Sequence, residues 1–477
     1  MELRQPGLPE GDSPHDECGV IGIFAPNEDV ARMAFFGLFA LQHRGQEAAG
    51  IAVADGTTIR LHKDVGLVAQ IFTPHNLVPL QGSYAIGHTR YSTTGSSSIR
   101  NAQPFMIETQ YGPVAVAHNG NLVNASELRR DLLQRGIGLS SSSDSEIMIM
   151  MLAGSNGDSW DRRIQNAMQK WHGAYSLVVL THDCVYAARD PWGFRPLSVG
   201  LLPSGGHAVA SESGALATLG CLAVREVMPG EVITLSNAAL NVRQALPPAS
   251  RQARCVFEHI YFSRPDSQWD GLWVHEVRQH LGEQLARELP TPADVVIPVP
   301  DSSIPAAIGY ARISGLPYND GFIKNRYIGR TFIEPTDSLR KQGVALKFNV
   351  LVENVRDQRV IVIDDSIVRG NTTGPLVKML RDAGAREIHL RITCPPIRHP
   401  CFMGVDMGTY DELIAHRMDV EGICEHIGCD TLHYLSLDGM MKAIGRSEGY
   451  CQACFTGDYP LAIDLVHTKT GFEKPIA

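Results

Sequence analysis

The sequence predicts an α+β half followed by an α/β half, with the change of pattern near Pro247-Pro248. Before that point, short apolar segments such as 112–117 and 174–180 alternate with Gly-rich turns. After it, strands alternate with helical periods, as where 293–299 is followed by a helix around 306–313. The 477 residues suffice for two or three domains with cores of their own.

Composition narrows the class. With 44% hydrophobic and 19% charged residues, the chain reads as a soluble globular protein. A net charge of −9 argues against a broad nucleic-acid footprint. No apolar run reaches membrane-spanning length, so no membrane partner is expected. Ten cysteines scattered over a large chain fit a reducing, cytoplasmic setting and metal or catalytic roles better than a disulfide scaffold. Residues 1–17 are acidic and rich in Pro and Gly, and they lack the apolar core of a secretory signal. There is no internal repeat, and the serine run at 140–143 reads as a loop.

The first element opens at Cys18, in D-E-C-G-V-I-G-I-F. Alone, such a cysteine is a small hydrophobic residue at a strand start. Four further strings change that reading. They are L-Q-H-R-G-Q-E at 41–47, G-H-T-R-Y-S-T at 87–93, H-N-G-N at 118–121 and S-S-D-S-E at 142–146. In this order they resemble the class II glutamine amidotransferases, which are N-terminal nucleophile (Ntn) hydrolases, over about residues 18–243. The resemblance implies Cys18 as nucleophile, with Asn119 and the Gly120 N–H as oxyanion hole. Arg90 would clamp the glutamine carboxylate, a bidentate task that suits guanidinium. Asp144 would hold the glutamine ammonium, and Arg44 lies in the segment resembling the glutamine-binding loop. A cysteine at a mature N-terminus carries its own base, an α-amine titrating at about 7.7–8.0. Residues 1–17 are therefore expected to be a propeptide removed between Glu17 and Cys18.

The back half is most informative at 360–374, V-I-V-I-D-D-S-I-V-R-G-N-T-T-G. An apolar strand over 359–363 ends in Asp364 and Asp365, and a loop of small polar residues leads into a helix. Thr372 or Thr373 can cap that helix, Pro375 suits its first turn, and Gly384 its end. A further strand is expected over 387–393. Ligands of open α/β sheets sit at such strand ends, and amides at a helix start hold phosphate. Neither a P-loop nor a G-x-G-x-x-G occurs. The string resembles the phosphoribosyl pyrophosphate loop of type I phosphoribosyltransferases. The resemblance implies Asp364 and Asp365 on the ribose hydroxyls beside a Mg²⁺ ion, and Arg369, Gly370, Asn371, Thr372 and Thr373 around the 5′-phosphate. Ser302, in P-D-S-S-I-P after the 293–299 strand, is carried over as a Mg²⁺ ligand with both acids, although it is equally placed to cap a helix. Lys324 and Arg330, in K-N-R-Y-I-G-R-T-F-I-E-P, resemble the cations of a lid that closes over pyrophosphate.

The remaining cysteines include C-x-x-C at Cys451 and Cys454, ambiguous by itself among redox motif, zinc half-site and neither. His275 and His280 are five apart, not the four that place two ligands on one helical face, so their segment is an ordinary helix. From about Cys18 to about Pro460 the chain resembles the amidophosphoribosyltransferase family, in particular the subgroup with an N-terminal propeptide and an iron–sulfur cluster. This implies a [4Fe–4S] cluster on Cys255, Cys401, Cys451 and Cys454; Cys424 and Cys429, at C-x-x-x-x-C spacing, offer an alternative ligand pair but are read as having no ligand role. It also implies domains at 18–248 (amidotransferase) and 249–445 (phosphoribosyltransferase), with a Cys-bearing tail at 446–477. The implied partners are glutamine, phosphoribosyl pyrophosphate, inhibitory purine nucleotides and further copies in a homotetramer. An amidotransferase with another acceptor and an inactive iron–sulfur regulator are the competing readings.

Overall fold

The computed structural model describes residues 18–91, 98–237, 239–325, 347–407 and 409–463. The expected propeptide, Arg330 with the rest of 326–346, and the end of the tail lie outside the described residues.

The front half is a four-layer stack in which two antiparallel sheets face each other and helices cover their outer faces. In the seven-stranded sheet, Gly19–Phe24 lies between His207–Ala210 and Tyr84–Arg90, and Ala48–Ala54 follows beyond Tyr84–Arg90. In the six-stranded sheet, Gly112–Leu122 lies between Gly173–Thr181 and Phe105–Thr109. Strand alternation sorts the side chains. Val20, Ile86, Ala117, Val178, Ala187 and Ile233 fill the space between the sheets. Ile21 and Ile51 point outward to the helix Val30–Ala40. On the other side, Val114, Val116 and Leu177 meet Ile147 and Met148 of the helix Asp144–Gly154. Because both faces of each sheet are covered, central strands such as Gly173–Thr181 are buried along their whole length.

The back half is built on a four-stranded parallel sheet in the order Val295–Pro298, Arg359–Asp364, Glu387–Ile392, Thr431–Tyr434. The helices Val274–Glu288 and Ile304–Ser314 pack beside it, and Thr373–Asp382 joins the second strand to the third. The expected βαβ unit is therefore present, with its loop at the carboxyl edge of the sheet. Thr372 occupies the cap position without a side-chain cap bond, so loop geometry rather than a hydroxyl cap starts that helix. Between the halves, Glu258–Phe262 forms one π-helical turn. The tail returns to this junction: Tyr450–Cys451 pairs in parallel with Arg254–Cys255, and Phe455 packs on Phe257 with ring centroids 5.6 Å apart. Among the described residues, no helix is long and apolar enough to cross a membrane.

Candidate active site

Cys18 precedes the strand Gly19–Phe24, whose register sets Gly19 opposite Thr89, one residue before Arg90. The thiol is 8% exposed and donates to the Tyr91 carbonyl at 3.3 Å. Burial pushes its pKa up to about 11, although the Tyr91 backbone and Arg90 oppose the rise. Asp144 also lies within electrostatic reach of Cys18. The fold thus gathers Cys18, Arg90 and Asp144, which are far apart in sequence.

H-N-G-N lies within the long strand Gly112–Leu122, not in a turn. His88 Nε2 donates to the His118 carbonyl at 3.1 Å, which ties this strand to the opposite sheet. Burial keeps that imidazole neutral, with its pKa lowered to about 3. Asn119 is 1% exposed, and its Nδ2 has no hydrogen-bond partner among the described residues. An unmet buried donor costs about 1–3 kcal/mol, so a substrate oxygen bound there would be stabilised. Gly120 has φ +140°, and a Cβ would sit 2.1 Å from the Ala174 carbonyl oxygen. Only glycine fits this position.

Asp144 begins a helix capped by Ser143 and accepts from the Leu122 N–H at 3.1 Å. Burial disfavours its charge, but His118, 3.7 Å away, and these hydrogen bonds hold its pKa below the usual value.

Arg44 requires a correction. The expectation placed it at glutamine, but its side chain is fully buried between two carboxylates. Nη1 lies 2.7 Å from Glu212, Nη2 lies 2.7 Å from Glu258, and Nε donates to the Cys18 carbonyl at 3.2 Å. Burial opposes its charge, and the two acids more than restore it. Arg44 is a positioning residue that ties the Cys18 backbone to the π-helical turn. Removing Arg44 would strand two buried carboxylates, at a cost of about 3–5 kcal/mol. Sequence reasoning missed Glu212 and Glu258. The available signal was Glu258 itself, an acid inside the apolar run C-V-F-E-H-I-Y-F.

The turn also reaches the second site. The Ser263 hydroxyl donates to Glu258. Arg278 donates to the His259 and Ser263 carbonyls, each at 2.8 Å. Burial lowers the Arg278 pKa to about 10, and the first charge opposing that fall is Asp365.

Asp364 ends its strand and Asp365 follows, at 8% and 2% exposure. Ser302 Oγ donates to Asp365 at 2.5 Å, and Ser303 Oγ to Asp364 at 3.4 Å. Both hydroxyls come from the loop after Val295–Pro298, brought there because Pro298 pairs with Ile363. Lys324 Nζ meets Asp301 at 2.7 Å, on the same loop. Gly370 has φ +80°, which bends 366–372 toward the helix start with Asn371 exposed and Thr373 buried. Arg369 is not left to a phosphate alone: its Nη2 pairs with Glu412 at 3.0 Å.

The four cysteines assigned to a cluster also converge. Cys255 and Cys451 are direct partners in the parallel pair, and Cys454 senses the charges of Cys451, Cys401 and Cys255. Cys424 and Cys429 form a separate contact, with sulfurs 3.3 Å apart.

Comparison with known proteins agrees with this geometry. Residues 88–218 match the glutamine amidotransferase domain family. The chain is 50% identical to the amidophosphoribosyltransferase of Synechococcus elongatus over 463 residues, covering 96% of this chain and 94% of that protein. It is 42% identical to the human amidophosphoribosyltransferase, covering 97% of this chain and all of that protein. Among solved structures, the glutamine phosphoribosylpyrophosphate amidotransferase of B. subtilis complexed with ADP and GMP superposes with a TM-score of 0.89. It shares 44% identity, over 94% of this chain and 99% of that one. A structure described as the allosteric regulatory enzyme of purine biosynthesis gives 0.91 at 43% identity, over 96% and 99%. With an Ntn-type front half, a phosphoribosyltransferase-type back half and this identity over nearly its whole length, the chain belongs to the amidophosphoribosyltransferase family, the glutamine- and phosphoribosyl-pyrophosphate-dependent enzymes of purine biosynthesis.

Proposed function

We propose that Cys18 opens the side-chain amide of glutamine, and that the ammonia passes inside the protein to C1 of a phosphoribosyl pyrophosphate held at Asp364 and Asp365. Water then hydrolyses the glutamyl thioester left on Cys18, so the products are 5-phosphoribosylamine, glutamate and pyrophosphate, in the first committed step of purine synthesis. The observation that carries this reading is the buried chain of contacts from the Cys18 carbonyl through Arg44, Glu258 and Ser263 to Arg278, which lies within electrostatic reach of Asp365. The test is pyrophosphate release from phosphoribosyl pyrophosphate and Mg²⁺. Release is expected with either glutamine or ammonia, and failure with both would overturn the reading.

In the first half-reaction, Cys18 Sγ adds to the amide carbon. Asn119 Nδ2 and the Gly120 N–H receive the developing oxyanion. Arg90 and Asp144 hold the two charged ends of the amino acid. A thiol pushed up to about 11 stays protonated at neutral pH, so it needs a base. Among the described residues its hydrogen-bonding partner is a carbonyl, which cannot take a proton. The α-amine of Cys18 can take it once residues 1–17 are gone. It can then return the proton to the leaving ammonia. Active enzyme is therefore expected to have the intact mass of a chain beginning at Cys18. Its glutamine kcat/KM should fall as pH drops through about 8 to 7, the range of an α-amine, since the protonated amine is no base. Active protein that still carried Met1 would contradict this.

In the second half-reaction, Asp364 and Asp365 orient the ribose, and residues 369–373 hold the 5′-phosphate. Lys324 and Arg330 offset the charge of pyrophosphate. Ser302 and the two acids would hold Mg²⁺, a hard cation commonly bound by one or two carboxylates together with substrate phosphates. The ion supplies charge neutralisation on the leaving group.

The chemistry of Cys255, Cys401, Cys451 and Cys454 fits a [4Fe–4S] cluster. The donor set is all sulfur, and Cys401 Sγ accepts the Met403 N–H at 3.3 Å, as cluster sulfurs do. Burial pushes Cys255 up to about 12 and Cys451 to about 11, so a cationic centre is what would hold them as thiolates. No group of three or more His, Cys, Asp or Glu among the described residues is spaced to grip a single ion. Purified anaerobically, the protein should contain about four iron and four sulfide per chain. Stoichiometric zinc without iron would count against the cluster.

The proposed units are a propeptide at 1–17, domains at 18–248 and 249–445, and a tail at 446–477. Purine nucleotides are the proposed inhibitors, supported by the ADP and GMP in the B. subtilis structure. A homotetramer in the cytoplasm completes the reading.

A further inference from the structure

We infer that the 401–405 loop of the back half positions the oxyanion hole of the front half, with Gly404 as the positioning residue. This rests on the assignment of Asn119 and Gly120 as that hole. Three contacts carry it. Gly404 has φ +102° and lies against the peptide of Gly120: a Cβ at 404 would sit 2.9 Å from the Gly120 carbonyl carbon, 3.0 Å from its Cα and 3.2 Å from its oxygen. Every one of these is a backbone atom in a central strand, so none can swing aside as a side chain would. Next, Asn121 Nδ2 donates to the Phe402 carbonyl at 2.9 Å. Then the fully buried Arg195 donates to the Met403 carbonyl through Nε at 3.1 Å and Nη2 at 2.6 Å. The Met403 side chain packs with Val123, Ala174 and Phe194 around the same strand ends.

Three successive residues of the loop are thus bonded to, or packed on, the segment that carries the oxyanion donors. Gly120 is held from both sides, by the Ala174 carbonyl on one and Gly404 on the other. Oxyanion donors work only when they are already aimed at the charge that develops. A loop from the other half that sets the Gly120 peptide therefore sets the rate of glutamine attack without touching glutamine.

The experiment compares Gly404→Ala, Asn121→Ala and Asn119→Ala in the full-length enzyme. It measures glutamine-dependent kcat and KM, the ammonia-dependent rate, and alkylation of Cys18 by iodoacetamide, read by peptide mass. For Gly404→Ala, glutamine kcat should fall about 10- to 100-fold, as a displacement of about 1 Å does. Its glutamine KM should change less than about threefold, and ammonia use and alkylation should persist. Asn121→Ala keeps the backbone free of strain and should shift kcat in the same direction by a smaller factor. Normal glutamine kcat in both loop-contact variants would overturn the proposal, as would equal loss of glutamine and ammonia activity. Normal kcat in Asn119→Ala would instead overturn the oxyanion assignment, which separates the two failures.

Discussion

Cys18→Ala should abolish glutamine-dependent pyrophosphate release, by at least about 10³-fold, while ammonia-dependent release stays near wild type. The thiol is the proposed attacking atom of the first half-reaction, and among the described residues no second cysteine lies on the Gly19–Phe24 strand or at its start. The backbone carbonyl that binds Arg44 is unchanged by the substitution, so the seam to the back half persists. Alanine is smaller and apolar in a buried position, and it removes only the weak thiol donor to the Tyr91 carbonyl. Steady-state rates with each nitrogen donor decide the matter. Loss of both reactions in a folded variant would contradict the division of labour between the halves.

Asp364→Asn and Asp365→Asn should lower pyrophosphate release with both nitrogen donors, by about 10²- to 10³-fold. Each substitution preserves shape and removes one charge from the place where the ribose and Mg²⁺ are proposed to sit. Asp365→Asn has a second effect, because Asp365 is the leading charge that offsets the burial of Arg278. It should therefore also reduce stability in chemical denaturation, whereas Asp364→Asn should reduce it less. Pyrophosphate assays with ammonia isolate this site from Cys18. Wild-type ammonia-dependent rates in both variants would remove the two acids from the phosphoribosyl site.

Much of the candidate site was legible because its chemistry is local. The acids 364 and 365 end a β-branched run, which marks a strand edge, and the loop to Thr373 follows directly. The strings around Cys18, Arg90, Asn119 and Asp144 are each a few residues long and carry their own residue-type logic. Strand ends were less legible. The segment read as 112–117 runs on to Leu122, because pairing with Gly173–Thr181 continues past the apolar run and absorbs H-N-G-N. Arg44 was misread for a related reason. A motif shows that a cation is present but not which carboxylates will reach it, and Glu212 and Glu258 lie 168 and 214 positions away.

By itself, then, the sequence determined the class of each half and singled out Cys18 and the 360–374 loop as candidates. Those follow from periodicity and short-range residue order, which the chain carries before it folds. Tertiary structure alone decided that Arg44 joins the halves, that Arg369 shares its charge with Glu412, and that Gly404 lies on Gly120. Those contacts come from packing one half on the other. A glycine's tolerance of a backbone 2.9 Å from its missing Cβ cannot be read from its neighbours in the chain.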